Sequence, residues 1–215
     1  MKTIEIDQGN CTLGVFIDFS KAFDTINHQI LLAKLEHYGF RGPTLNWVRS
    51  YLHKRVQFVE VNGLSSHKDI ISHGVPQGSV LGPTLFLLYI NDLPNSSNFF
   101  DFRLFADDSN LFHSYTGGEI KNIDLNDVNL HIKEVLSWCD INKLTINRDK
   151  TNYIIFRGKQ KRLNMTGTIS IRGEHIQEVD VVSFVGVLLD KHLTWAQHIN
   201  KVNQTTRKKC GILFK

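Results

Sequence analysis

Apolar residues in this chain alternate between strand-like and helix-like spacing, with turn residues at the changes. Val15, Phe16 and Ile17 are consecutive within Leu13 to Asp18, which predicts a strand buried on both faces and ending at an aspartate. Ile30, Leu31 and Leu35 then follow helical spacing, with Asn27 as N-cap and Gly39 as the stop of a helix through Tyr38. A second helix is expected from Gly42-Pro43 to Leu52. Val56 to Val61, the Asn62-Gly63 turn and a strand near Ile70-Ile71 predict a hairpin. The turn-rich segment from Gly74 to Ser79 opens into an apolar helix ending near Asn91-Asp92, and 92–97 reads as a loop. Phe102 to Phe105 and Asn110 to Phe112 read as strands, with Ala106-Asp107-Asp108 at the bend between them.

Further along, Val128, Ile132, Val135 and Cys139 mark a helix from Asn126 to Asn142. Two extended pieces are expected between Leu144 and Phe156, around Arg148-Asp149-Lys150. Strands near Ile169–Ile171, Gln177–Val179 and Phe184–Leu189 follow, and the chain reads as helical from Trp195. Strands and helices mix without regular alternation, which predicts an α+β fold rather than a doubly wound one. There is no internal repeat and no low-complexity run.

Composition narrows the class. The 215 residues are 41% hydrophobic and 21% charged, as in an ordinary globular protein and unlike a disordered or fibrous one. The net charge of +4 is a mild bias that suits nucleic acid. Cations gather at Arg157, Lys159, Lys161 and Arg162, and again from Lys191 to Lys215, where no acid occurs. Cys11, Cys139 and Cys210 form neither a disulfide framework nor a zinc spacing, which fits a reducing compartment. Met1 to Asn10 has no apolar signal-peptide core, and Val80 to Ile90 is too short to span a bilayer. The expected location is therefore intracellular, nucleus or cytoplasm, without secretion or membrane attachment.

The chemistry lies in the aspartates. Asp18 ends one strand, and Asp107-Asp108 follow another, far away in the sequence. A single aspartate at a strand end is ordinarily a turn or cap residue. A tandem pair beside a second strand-end acid points instead to magnesium, which takes hard oxygen ligands, usually one or two carboxylates plus substrate phosphates.

Phe16-Ile17-Asp18-Phe19-Ser20-Lys21-Ala22-Phe23-Asp24, then Gly74-Val75-Pro76-Gln77-Gly78-Ser79-Val80-Leu81-Gly82-Pro83, then Phe105-Ala106-Asp107-Asp108 resemble, in order, motifs A, B and C of reverse transcriptases. Phe-Ala-Asp-Asp is the flavour of non-LTR (LINE-type) retrotransposons. Leu144 to Thr151 resembles motif D, and Phe184 to Asp190 resembles motif E, with Val185 where leucine is usual.

The resemblance implies a right-hand polymerase palm, an antiparallel sheet with packed helices, over 1–190, running into a partial thumb over 191–215. It implies an RNA-directed DNA polymerase acting on an RNA template, a DNA primer and dNTPs. Asp18, Asp107, Asp108 and the main-chain carbonyl of Phe19 would hold two magnesium ions, with manganese as a substitute. Phe23 would lie beneath the incoming sugar and exclude a 2′-hydroxyl, Gln77 would lie near the nucleotide, and Gly74 and Gly78 would allow close approach of nucleotide or template. Lys150 would protonate the departing pyrophosphate. Phe184 and Gly186 would lie near the primer end, and Lys201, Arg207, Lys208 and Lys209 would face phosphates.

Family members place a basic fingers segment before motif A. Here only 1–12 precede that strand, with Lys2 the one base before Asp18. The expectation is a palm-centred piece of a longer reading frame, with fingers and endonuclease regions elsewhere in the parent element. Such a piece should bind magnesium weakly and polymerise poorly alone. The alternatives are an inactive fragment that only binds nucleic acid, or another palm polymerase such as a group II intron maturase or an RNA-dependent RNA polymerase. Phe23 and the form of motifs A and C argue against these last two.

Overall fold

The computed structural model describes residues 9–116 and 122–213; the expectations resting on residues 1–8 and 214–215 lie outside them. Cys11–Ile17 forms β1, and every one of its residues is buried. A single turn of 3-10 helix at Ala22–Asp24 leads to α1, His28–His37, whose Asn27 cap accepts from the backbone N–H groups of Gln29 and Ile30 at 3.0 and 3.1 Å. Helix α2, Gly42–Leu52, starts on Pro43 as anticipated. The expected hairpin is present but divided. Arg55–Gln57 (β2) pairs with Asp69–Ile71 (β5), and Glu60–Val61 (β3) pairs with Leu64–Ser65 (β4) across Asn62-Gly63, both at positive φ. Helix α3, Leu81–Ile90, follows. The expected loop after it contains a turn of 3-10 helix, Leu93–Ser96, started by Pro94.

Asp101–Phe105 (β6) and Asp108–Tyr115 (β7) form the second hairpin. Asn122–Asp124 (β8) enters α4, Leu125–Ile141, and Asn152–Phe156 (β9) follows. Of the two extended pieces expected there, only β9 is a strand; the first is reduced to a bridge between Ile146 and Phe19. Asn164–Thr166 (β10) pairs in parallel with β8, which the sequence did not predict. Ser170–Ile171 (β11) and Glu174–His175 (β12) pair, and Gln177–Glu178 (β13) lies parallel to β9. The segment expected as one strand from Phe184 to Leu189 is a hairpin instead, Val181–Phe184 (β14) against Val187–Asp190 (β15). Val185 and Gly186 make its two-residue turn at φ 47° and 81°. Ala196–Leu213 is α5.

The main sheet runs β13-β9-β1-β7-β6, with β1 at its centre, antiparallel to β7 and β9. Alternation along β1 explains its complete burial. Leu13, Val15 and Ile17 join the core built with α1, α3 and α4, while Phe16 joins Phe156, Val182 and Leu189 on the other face. There Phe16, Phe112 and Phe184 meet edge to face, with centroids 5.7 to 6.3 Å apart, and hold the β14–β15 hairpin on the sheet. On the helical face, Lys34 donates to Asp92 at 2.5 Å and to the Tyr89 carbonyl at 2.8 Å, tying α1 to the end of α3.

Asp190 organises the exit towards α5. Its carboxylate accepts from the N–H groups of His192, Thr194 and Trp195 and from the Thr194 hydroxyl, at 2.9 to 3.0 Å. Burial pushes this carboxyl up, but the hydrogen bonds outweigh it and hold it below the ordinary carboxylate range. Its stabilisation is therefore present above the unfolded value of about 3.9 and disappears as pH falls through the lower folded value. Asp190→Ala should cost about 2 kcal/mol at pH 7. Melting of wild type and variant from pH 7 to pH 2 checks it: the gap should narrow only at the acid end.

Candidate active site

Asp18 leaves the end of β1 and is fixed through its main chain. Its N–H donates to Thr151 Oγ1 at 3.2 Å, and its carbonyl accepts from the Asn147 N–H at 2.7 Å. Thr151 in turn donates to the Asn147 carbonyl at 2.8 Å, and the Ser20 N–H donates to Thr145 O at 2.8 Å. The 145–151 loop is thus stitched to the chain leaving β1, which leaves the Asp18 carboxylate out of its own anchoring.

Asp107 comes from the neighbouring strand pair. Phe105 pairs with Asp108, so Ala106 and Asp107 alone make the turn, and Ala106 adopts φ 50°. That left-handed conformation costs an alanine roughly 1–2 kcal/mol, a strain placed at the tip that carries the acids. Because β7 lies beside β1, with Ile17 opposite Ser109, the tip reaches the end of β1 where Asp18 stands.

A cleft of about 430 Å³ opens between them. Asp18, Phe19, Phe23, Gln77, Asp107 and Lys150, six of the residues singled out from the sequence, line it. Asp108 and Gly78 do not. The Asp108 carboxyl is nevertheless pushed up, first by burial and then by the charges of Asp107 and Asp18. Three acids feel one another here, an excess of negative charge suited to a cation. Among the described residues, no three His, Cys, Asp or Glu are gathered as a closed metal cage. Two carboxylates in an open cleft suit magnesium, which keeps waters and takes substrate phosphates for its remaining ligands. Lys150 Nζ lies 3.9 Å from Asp18 Oδ2, a countercharge on the rim.

The loop after β5 is fastened to the chain following Asp18. Val75 N–H donates to Phe23 O, and Gly74 N–H donates to Ile26 O, both at 2.8 Å. His28 Nε2 donates to Gly74 O at 2.7 Å, which fixes its tautomer. Gln77 Nε2 donates to Asp24 Oδ1 at 2.8 Å. Asp24 therefore orients the glutamine. Gly74 makes a close approach within this chain, to the backbone of Asp24, where a Cβ would fall 2.7 Å from the carbonyl oxygen. Gly78 has nothing within 4 Å of that position and adopts φ 76°, a conformation that favours glycine. The Phe23 ring is half-buried and leans on Phe86, with centroids 4.7 Å apart. Sequence reasoning missed Thr151, His28 and the role of Asp24. Asp24 and Thr151 each lay inside a recognisable string, whereas His28 lay outside all of them.

The remaining sequence-predicted residues lie elsewhere. Phe184 is engaged in the ring cluster on the sheet, and Gly186 sits at the exposed hairpin turn with open space around it. Lys201, Arg207, Lys208 and Lys209 are all exposed on α5, a helix tied to β15 by the Leu188 N–H donating to His198 Nδ1 at 3.3 Å. No helix among the described residues is long and apolar enough to cross a membrane.

A family described as reverse transcriptase (RNA-dependent DNA polymerase) matches residues 2–189. The RNA-directed DNA polymerase from mobile element jockey of Drosophila melanogaster is 28% identical over 207 residues, covering 92% of this chain and 22% of that protein. The probable RNA-directed DNA polymerase from transposon BS of the same species is 30% identical over 203 residues, covering 91% of this chain and 21% of its own length. The chain thus spans about a fifth of the length of these relatives. Among solved structures, apo telomerase from Candida tropicalis superposes with a TM-score of 0.54 at 14% identity, over 86% of this chain and 32% of that one. Telomerase from Candida albicans with a fragment of telomeric RNA gives 0.52 at 16% identity, over 83% and 29%. At such identities the likeness speaks for the fold, that of a right-hand polymerase.

Proposed function

The chain belongs to the reverse transcriptase family, and on that premise we propose that it is the palm of a LINE-type RNA-directed DNA polymerase, with 191–213 leading into the thumb. The observation that carries the reading is the single cleft shared by Asp18, Asp107, Phe23, Gln77 and Lys150, which come from four separate segments. The reaction is nucleotidyl transfer from a dNTP to a primer 3′-hydroxyl on an RNA template, inside the cell.

Asp18, Asp107 and the Phe19 carbonyl would hold two magnesium ions, with Asp108 beside them, and these supply alignment of the hydroxyl and neutralisation of the leaving pyrophosphate. The chain's own groups do the rest. Asp24 holds Gln77 at the nucleotide side of the cleft. Lys150 faces the same space and is placed to donate a proton to the leaving group, a role typically worth roughly 10²–10⁴-fold. Phe23, braced by Phe86, presents a ring edge that a 2′-hydroxyl would strike.

The test is dNTP incorporation on poly(rA)/oligo(dT) with magnesium or manganese. Weak but metal-dependent incorporation is expected, because the chain covers only part of its relatives. Its complete absence beside retained RNA binding would favour the binding-only alternative. Phe23→Val should raise the relative use of ribonucleotides by about tenfold or more, read as the ratio of rNTP to dNTP incorporation. An unchanged ratio would remove Phe23 from that role.

A further inference from the structure

Helix α2 buries Leu45, Val48 and Leu52, turns Trp47 outward and leaves Tyr51 half-buried on its flank, against the core. Trp47 is 56% exposed, an unusual position for so large a ring. It stacks on Tyr51 with centroids 5.9 Å apart and planes 16° from parallel, and the Arg55 guanidinium lies 5.2 Å over the Tyr51 ring. Two rings and a cation therefore form one column, rooted on the core at Tyr51 and reaching the surface at Trp47 and Arg55.

The column leads somewhere. Arg55 lines a cavity of about 520 Å³ together with Gln57, His28, His73, Asp24 and Gln77. Asp24 and Gln77 also line the carboxylate cleft, so their hydrogen bond is the wall between the two spaces. Charge points the same way. Residues 41–68 carry Arg41, Arg49, Lys54, Arg55 and Lys68 against Glu60 alone, an excess equal to the net +4 of the whole chain. All five cations are exposed.

We infer that the Trp47–Tyr51–Arg55 column is a stacking platform for single-stranded nucleic acid, leading the template through the Arg55 cavity to the Gln77–Asp24 wall. That the strand is a template rests on the polymerase reading; that it is single-stranded nucleic acid rests on the column and its charge. The exposed Trp47 ring, backed by Tyr51, can accept the face of a base whatever its identity, and the cations around it meet the phosphates. A duplex keeps its bases paired and stacked and offers no free faces to the rings.

The test uses the full chain in EDTA, so that binding is read apart from catalysis. Fluorescence anisotropy with labelled oligo(U), oligo(dT) and a blunt duplex of equal length compares wild type with Trp47→Ala, Trp47→Phe and Arg55→Ala. Trp47→Ala should weaken binding of both single strands about tenfold, and Trp47→Phe should restore most of it. Arg55→Ala should weaken it severalfold and reduce the logarithmic salt slope by about 0.7. Duplex binding should not change. Single-strand affinity unchanged in both alanine variants overturns the inference, as does equal loss for the duplex or failure of phenylalanine to rescue. Loss of nucleotide incorporation with these binding results intact would count against the polymerase reading alone.

Discussion

Asp107→Asn should abolish metal-dependent nucleotide incorporation, by on the order of a thousandfold, while leaving the melting temperature unchanged or slightly higher. The amide keeps the size of the side chain but not the charge, and on the proposed reading that charge would hold the ions that neutralise a departing pyrophosphate. The fold has no comparable need of it. Asp107 sits in a two-residue turn between β6 and β7, where asparagine is well tolerated. Its charge also helps to push the neighbouring Asp108 carboxyl up, so removing it relieves repulsion. Incorporation on poly(rA)/oligo(dT), beside manganese binding followed by electron paramagnetic resonance and a thermal melt, separates the two effects. A variant that still extends primers at the wild-type rate would end the assignment of Asp107. So would one that loses activity only because it unfolds.

Gly74→Ala should cost about 2–4 kcal/mol of stability, the largest structural effect expected of a single methyl group in this chain. Two penalties combine. Gly74 has φ 82°, which an L side chain resists, and a Cβ there would lie 2.7 to 2.9 Å from three backbone atoms of Asp24. Backbone cannot swing aside as a side chain would. Moreover, both segments are pinned by the bonds from Gly74 N–H to Ile26 and from Val75 N–H to Phe23. Gly78→Ala is the matched comparison, with a similar φ and no neighbour within 4 Å, so it should cost only about 1–2 kcal/mol. Urea denaturation of the pair reads the difference as a shift in midpoint. Equal shifts would mean that the loop yields where the contact with Asp24 says it cannot.

What the sequence made legible follows from which signals are local. Three consecutive apolar residues ending at Asp18 give the central strand, and Asn27 marks the start of α1 because a cap acts on the next two or three residues. The Asn62-Gly63 turn is visible because only such residues enter positive φ easily. Val185 hides the β14–β15 turn for the same reason: a β-branched residue at φ 47° is uncommon, so the segment reads as one strand. The parallel pair β8 and β10 has three residues on each side, too few for a period to show. At the site, the acids were legible because a motif carries them. Thr151 ends a motif too, but its role was not legible, since its bond to the Asp18 N–H joins residues 133 positions apart and leaves no local trace.

The way Asp18 is held has a consequence for how this protein tolerates change. Its position is secured by main-chain bonds to the 145–151 loop and by the Thr151 hydroxyl, not by its own carboxylate. The tip that carries Asp107 is likewise set by strand pairing. Catalytic capacity and folding thus draw on different atoms. Drift that erases the acids meets no penalty from the fold, so descendants of this gene can fall silent chemically while still producing a well-formed protein. Intact structure in such a descendant is therefore no guide to whether it keeps the proposed chemistry, and the identity of residues 18 and 107 is the first thing to read.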